Sequence, residues 1–313
     1  MLTLRTGRLT RVFTLFTFAV VAMLGTSLQA ADFPPVDQLP SNPELPDPLV
    51  MFDGTPVTSK SQWINERRPE LKALIQHYMY GYLPQPTTIS ATVHRESNEL
   101  FGGKATRKEV TIQFGPKGTP PFSLLVVLPR NAKKPVPCFV GLNFCGNHTT
   151  LDDPAIALPE SWYRGRCPGC EDFRATDAGR GKESHVWNIE MIIDRGYGVA
   201  MFYYGDVDPD KDGGDFTDGV HPHFFKPGQT EPGKHDWGAV AAWAYAVHRA
   251  IDYLETDKNI DSKRIGVVGH SRLGKATILA AALDERIALA IPLQAGCGGT
   301  APSRGKVGEP VER

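Results

Sequence analysis

The sequence predicts an α/β fold, a three-layer αβα sandwich with a mostly parallel central sheet. Three observations carry that expectation. Short, dense apolar runs recur along the chain and suit strands buried on both faces. Between Asp236 and Leu293 the order is helix, strand, sharp turn, helix, strand, a βαβ arrangement that implies parallel pairing. The 313 residues are also enough for one large domain with a sizeable core.

The first thirty residues stand apart from that domain. Arg5, Arg8 and Arg11 make a basic start, Val12 to Leu24 is an apolar run softened by threonines, and Leu28-Gln29-Ala30 offers a cleavage point before Ala31. That is the plan of a signal peptide, and it leads to the expectation of a secreted or periplasmic protein. As a membrane anchor the run is short for a bilayer. No later stretch is long and apolar enough to cross one, so no stable membrane insertion is expected after leader removal. Residues 31–313 are expected to form a single domain.

The elements follow in order. Trp63 to Tyr80 has helical spacing at Leu71, Leu74, Ile75 and Tyr78, with Pro69 where a helix can restart. Ile89–Val93 and Arg107–Phe114 alternate like half-buried strands. Phe122–Leu128 and Val136–Leu142 are denser and suit more buried ones. A loop-rich insert separates Asn143 from Trp187, and loops of that length in compact domains are usually functional or lids. Trp187–Arg195 reads as a short helix, Val199–Tyr204 as a strand, and Gly205–His235 as irregular. Val240, Trp243, Ala244, Val247, Ile251 and Leu254 then share one helical face. Asp261-Ser262-Lys263-Arg264 reads as a turn, Ile265–Val268 as a strand, Lys275–Leu283 as a helix and Ala288–Leu293 as a strand.

Charge excludes one class of partner. The formal net charge is -1, and nothing suggests the basic face that a nucleic-acid partner would need, so none is expected. Export makes disulfides permissible for the five cysteines. Cys167-Pro168-Gly169-Cys170 could be a metal half-site or a short disulfide. A zinc site needs a second ligand pair, which is not evident, so a structural role is expected. The odd count leaves at least one thiol unpaired or paired outside the chain. No cofactor and no metal are expected.

The chemistry concentrates at Gly269-His270-Ser271-Arg272-Leu273-Gly274-Lys275, directly after a buried strand and before an alanine-rich helix. A tight strand-to-helix turn of this kind is the nucleophile elbow of α/β-hydrolases. It lifts a serine hydroxyl at the carboxyl edge of the sheet and sets it against a helix N-terminus, where the dipole favours negative charge. Ser271 is therefore the candidate nucleophile. Cations are mildly unfavourable at a helix N-terminus, so Arg272 and Lys275 suggest an anionic or oxyanionic partner.

The fuller string Gly-x-Ser-Arg-x-Gly-Lys resembles the elbow of the glucuronoyl esterase family, carbohydrate esterase family 15, whose second glycine is displaced by one position as Gly274 is here. Asp236-Trp237-Gly238, Gly296-Cys297-Gly298-Gly299 and the run from Gly141 to His148 are similar to its bacterial members. The resemblance covers about Leu49 to the end. It implies that Ser271 attacks an ester carbonyl, that Arg272 stabilises the oxyanion through its backbone N–H and guanidinium, and that Lys275 donates to hydroxyls of a glucuronate ring. A fixed cation beside a developing alkoxide makes charge-assisted hydrogen bonds. The implied partner is a polysaccharide or sugar-ester substrate, with 4-O-methyl-glucuronoyl esters of xylan favoured. An acetylxylan esterase is the alternative enzyme.

Two departures from the family shape the expectation. Gln294 stands where many members carry the catalytic acid. The fold's order is serine, acid, histidine, yet every histidine of this chain precedes Ser271. His270 is expected to point away from the nucleophile. The economical reading is a domain incomplete at its C-terminus, with its acid and histidine expected beyond Arg313. The chain alone would then hydrolyse esters poorly, and a non-catalytic carbohydrate-binding remnant is the alternative from another class.

Other features are weaker. Asp208-Pro209-Asp210-Lys211-Asp212-Gly213 imitates a calcium loop, but its twelfth position is Gly219 rather than Glu; a looser cation site stays open. His221, His223 and His235 lack a ligand partner at metal spacing and are expected at the surface or in a substrate groove. Asn147-His148-Thr149 fits a glycosylation sequon but is discounted because its loop is expected to line the site. Trp187, Trp237 and Trp243 are expected in the core, and Trp162 is the exception that could meet a sugar.

Overall fold

The computed structural model describes residues 33–209, 211 and 216–302; the predicted leader lies outside the described residues. The strands in chain order are β1 (Ile89–Glu99), β2 (Ala105–Phe114), β3 (Phe122–Pro129), β4 (Val136–Asn143), β5 (Cys170–Glu171), β6 (Arg174–Ala175), β7 (Gly198–Tyr203), β8 (Ile260–His270) and β9 (Ile287–Leu293). Seven of them form the main sheet in the order β1-β2-β3-β7-β4-β8-β9, and β5 and β6 form a small hairpin inside the insert. Pairing is antiparallel from β1 through β3 to β7 and parallel across β7, β4, β8 and β9. The βαβ reading therefore describes the half of the sheet that carries the elbow.

Alternation along the central strands builds three layers. Leu124, Val126, Ala200 and Phe202 face one side, where they pack with Trp243, Val247 and Leu279 of the helices Ala239–Leu254 and Arg272–Leu283. Leu125, Val127, Val199 and Met201 face the other, against Ile189 and Ile193 of the helix Ile189–Asp194. Successive strand side chains point to opposite faces, so one run supplies both cores. That is why β7 is buried along its whole length. The helix Ala239–Leu254 buries far more than one stripe: its alanines let it lie closely against the sheet and the neighbouring helix.

Local differences from the sequence reading have local causes. Helical structure begins at Lys60, because the Ser59 hydroxyl accepts from the Gln62 N–H and caps it. It then continues through two wide π-type turns, Trp63–Arg67 and Gln76–Tyr80. The expected helix Trp187–Arg195 is broken at Asn188, which is left-handed with φ 39°. The expected turn at Asp261–Arg264 is instead part of β8, accommodated by a register shift against β4. Among the described residues no helix is long and apolar enough to cross a membrane.

Candidate active site

Ser271 follows β8 immediately and has φ 55° and ψ -128°. For a residue with a Cβ this conformation is costly, of order 1–3 kcal/mol, and it persists only where surrounding structure enforces it. Here the enforcement is visible. The Ser271 N–H donates to Leu293 O at 2.9 Å, and Ser271 O accepts from the N–H groups of Gly274 at 2.8 Å and Lys275 at 3.1 Å. A β-carbon on Gly269 would sit 2.3 Å from Leu273 O and 2.6 Å from Thr277 Oγ1. One on Gly274 would sit 3.1 Å from both Gly269 O and Leu293 O. The two glycines let the first turn of the helix fold back against its own strand, and Gly269 lies where the approach is tightest. Ser271 itself is half-buried.

Arg272 opens the helix and is half-buried, while Lys275 one turn on is only 2 % exposed. The structure thus brings all three predicted site residues to one helix N-terminus. First-turn N–H groups have no partners four residues back and point outward. Ordering a long cationic side chain in a buried place costs conformational freedom that an exposed lysine keeps. The arrangement is suited to receive an anion or a developing oxyanion.

The surroundings of the elbow bring in groups whose pairings the sequence did not show, and Asp206 and Tyr80, which sequence reasoning missed. Gln294, just past β9, is left-handed with φ 45°, and its Oε1 lies 2.7 Å from His270 Nε2. His270 is thereby occupied by the residue standing at the family's acid position. After β7, Asp206 accepts from Ser161 Oγ at 2.7 Å and the Ser123 N–H at 3.4 Å; burial pushes its carboxyl up to about 6 against those bonds. Asp208 Oδ2 lies 2.8 Å from His221 Nδ1, and Asp208 O accepts from the Trp243 indole N–H. Tyr80 donates its hydroxyl to Gly298 O, and burial pushes its phenol up to about 12. For Asp206 the sequence signal was its position shortly after a strand end, the edge where sites in parallel sheets collect; Tyr80, at the end of a helical segment, carried none.

The insert is anchored by a disulfide between Cys145 and Cys167, not within the Cys167–Cys170 pair; Cys138, Cys170 and Cys297 carry thiols. Tyr163 stitches it further by donating to Cys145 O and Pro168 O. At its tip Asp172 and Phe173 are left-handed, which turns Phe173 outward to stack on Trp162 at 5.6 Å. His221 is fully buried, contrary to the expected surface placement, because Phe216 and Trp237 enclose it. Asn147 is buried too and spends its amide on Ser123 O, so the sequon is closed to modification. Burial, with Arg180 adding to it, pushes the His148 imidazole down to about 4. Trp237 and Trp243 are core, whereas Trp187 is only part-buried against Gly141. Asp210 and Asp212 of the imitation calcium loop lie outside the described residues, among which no group of three or more His, Cys, Asp or Glu side chains could hold a metal.

Comparison with known proteins agrees with this architecture. Residues 186–310 match the family model described as glucuronyl esterase, fungi. A carbohydrate esterase, MZ0003, from an unknown prokaryotic organism is 46% identical over 271 residues, covering 86% of this chain and 62% of that protein. A 4-O-methyl-glucuronoyl methylesterase of Cerrena unicolor is 28% identical, covering 83% of this chain and 44% of that protein. Among solved structures, a glucuronoyl esterase from Solibacter usitatus superposes with a TM-score of 0.77 at 44% identity, over 86% of this chain and 67% of that one. The chain thus spans less than two thirds of the curated relatives it matches.

Proposed function

The chain belongs to the glucuronoyl esterase family, carbohydrate esterase family 15, and from that premise we propose that it is a serine carboxylic-ester hydrolase acting on 4-O-methyl-glucuronoyl esters that join xylan to lignin alcohols. The observation that carries the reading is the strained Ser271 at a helix N-terminus beside two cations. In the proposed reaction Ser271 Oγ bonds to the ester carbonyl carbon and passes its proton to a water molecule, which returns it to the departing alcohol, and the carbonyl oxygen becomes an oxyanion. Arg272 stabilises that charge from its first-turn position. The C–O bond to the alcohol then breaks, the alcohol takes a proton, and an acyl-enzyme remains. Water attacks the acyl carbon, releases the uronic acid and restores Ser271. Lys275 donates to ring hydroxyls of the sugar. The stacked Trp162–Phe173 pair offers an apolar surface on the insert that leaves the neighbouring strand β4, a setting suited to an aromatic alcohol. Export through the N-terminal leader places the protein where plant polymers are met.

A second reading is a non-catalytic carbohydrate-binding role that uses the same sugar-facing Lys275 without turnover. Purified 313-residue protein and its Ser271→Ala variant, assayed on benzyl glucuronate, decide between them. Turnover that falls at least about tenfold in Ser271→Ala is expected, the floor being the roughly 10³–10⁴-fold over water that oxyanion donors and binding leave without a nucleophile. Turnover indifferent to Ser271 would overturn the hydrolase reading.

A further inference from the structure

Ester chemistry at Ser271 leaves unexplained a basic cleft at the opposite end of β8. β3 ends at Pro129, β4 begins at Val136, and the turn between them meets the start of β8 at Ile260. The cleft they form holds about 220 Å³ and is lined by Arg130, Lys133, Lys134 and Lys258, with no carboxylate in its wall. Nearby carboxylates are already engaged: Asp257 by Lys108 at 2.8 Å, Asp261 by Arg264 at 2.7 Å. Arg130 donates to Asn98 O at 3.4 Å, whereas the exposed Lys133, Lys134 and Lys258 form no hydrogen bond or ion pair among the described residues.

In a chain of net charge -1, four cations around one cleft are a local imbalance that the fold does not neutralise. Like charges held together repel, and an anion entering between them relieves that repulsion. The cleft is smaller than the roughly 300–1,000 Å³ of sites for whole small ligands. Its size suits one charged unit of a longer chain, with the rest of the polymer running over the surface. Lysine ammoniums serve as point charges for such a group without demanding one orientation. Ile260 pairs with Val136 and Val268 with Gly141, so the sheet separates this cleft from Ser271 by roughly 26 Å at about 3.3 Å per residue.

We propose that this cleft is a second polysaccharide-binding site that grips free uronic-acid carboxylates of the polymer whose esters Ser271 would cleave. The proposal rests on the substrate class named above. It adds a division of labour, because esterification removes the uronate's charge. An ester is invisible to the cleft, whereas unesterified units on the same chain, and those that hydrolysis creates, are anions that it can hold.

The test is direct binding of the full 313-residue chain, by affinity electrophoresis and calorimetry, to de-esterified 4-O-methylglucuronoxylan and to the same xylan with its carboxyls reduced to alcohols. The acidic polymer is expected to bind and the reduced polymer not. The variant Lys133→Gln/Lys134→Gln/Lys258→Gln is expected to lose about tenfold in affinity, as three exposed charge pairs would give. Raised salt should weaken the wild type more than the variant. Equal binding of the reduced polymer, undiminished binding by the triple variant, or preference for inorganic polyphosphate with no uronate binding would each overturn the proposal. The reduced-polymer arm needs no variant to fold. Absent ester turnover with intact carboxylate-dependent binding would defeat the esterase reading and leave this one standing.

Discussion

The two ends of β8 use positive charge in opposite ways. At the carboxyl end Arg272 and Lys275 sit in the first turn of a helix, part-buried and buried, around a serine whose backbone is strained. At the amino end Lys133, Lys134 and Lys258 stand exposed around an open cleft. A cation fixed by packing meets a developing charge without reorganising and in a medium that screens it little. An exposed ammonium attracts over distance, gains little per contact, and loses most of that to salt. One end is suited to stabilise a transition state, the other only to hold a polymer nearby.

The largest effect expected from breaking this contrast is at Arg272. Arg272→Ala should lower the residual Ser271-dependent hydrolysis of benzyl glucuronate by about a hundred- to thousandfold, the usual loss for one oxyanion donor. A change below threefold in single-turnover assays would remove Arg272 from the chemistry. Next is the packing that holds the elbow. Gly269→Ala places a methyl 2.3 Å from Leu273 O, a contact that only backbone movement can relieve. It should cost about 3 kcal/mol of stability in denaturant unfolding, whereas the same substitution at the uncrowded Gly54, apart from its own backbone strain, meets no neighbour. The smallest effect sharpens the comparison from the other side. Ser271→Gly should stabilise the protein by about 1 kcal/mol while removing the nucleophile, because glycine accepts positive φ without strain. A loss of stability in that variant would mean the elbow is not strained.

Much of this architecture was legible in the sequence. The strand from β8, the elbow and the following helix are each encoded by residues adjacent in the chain: an apolar run, small residues at Gly269 and Gly274, then alanines. The mixed sheet was less legible. Antiparallel β3 and parallel β4 look alike as dense apolar runs, and their order depends on which partner buries both faces. The insert misled in the same way. Cys167 and Cys170 are close in sequence, yet the disulfide joins Cys167 to Cys145 because the loop folds back on the end of β4.

By itself, then, the sequence determined the αβα class, the position of the elbow and the three residues Ser271, Arg272 and Lys275 on it, since periodicity and turn chemistry act over a few neighbouring residues. Tertiary structure alone decided what surrounds them: the pairing of Gln294 with His270, the burial of His221 beside Asp208, and the carboxylate-free cleft between Arg130 and Lys258. Those contacts join residues from thirteen to more than a hundred positions apart. Their energies come from desolvation and charge in a shared space, which no local pattern along the chain records.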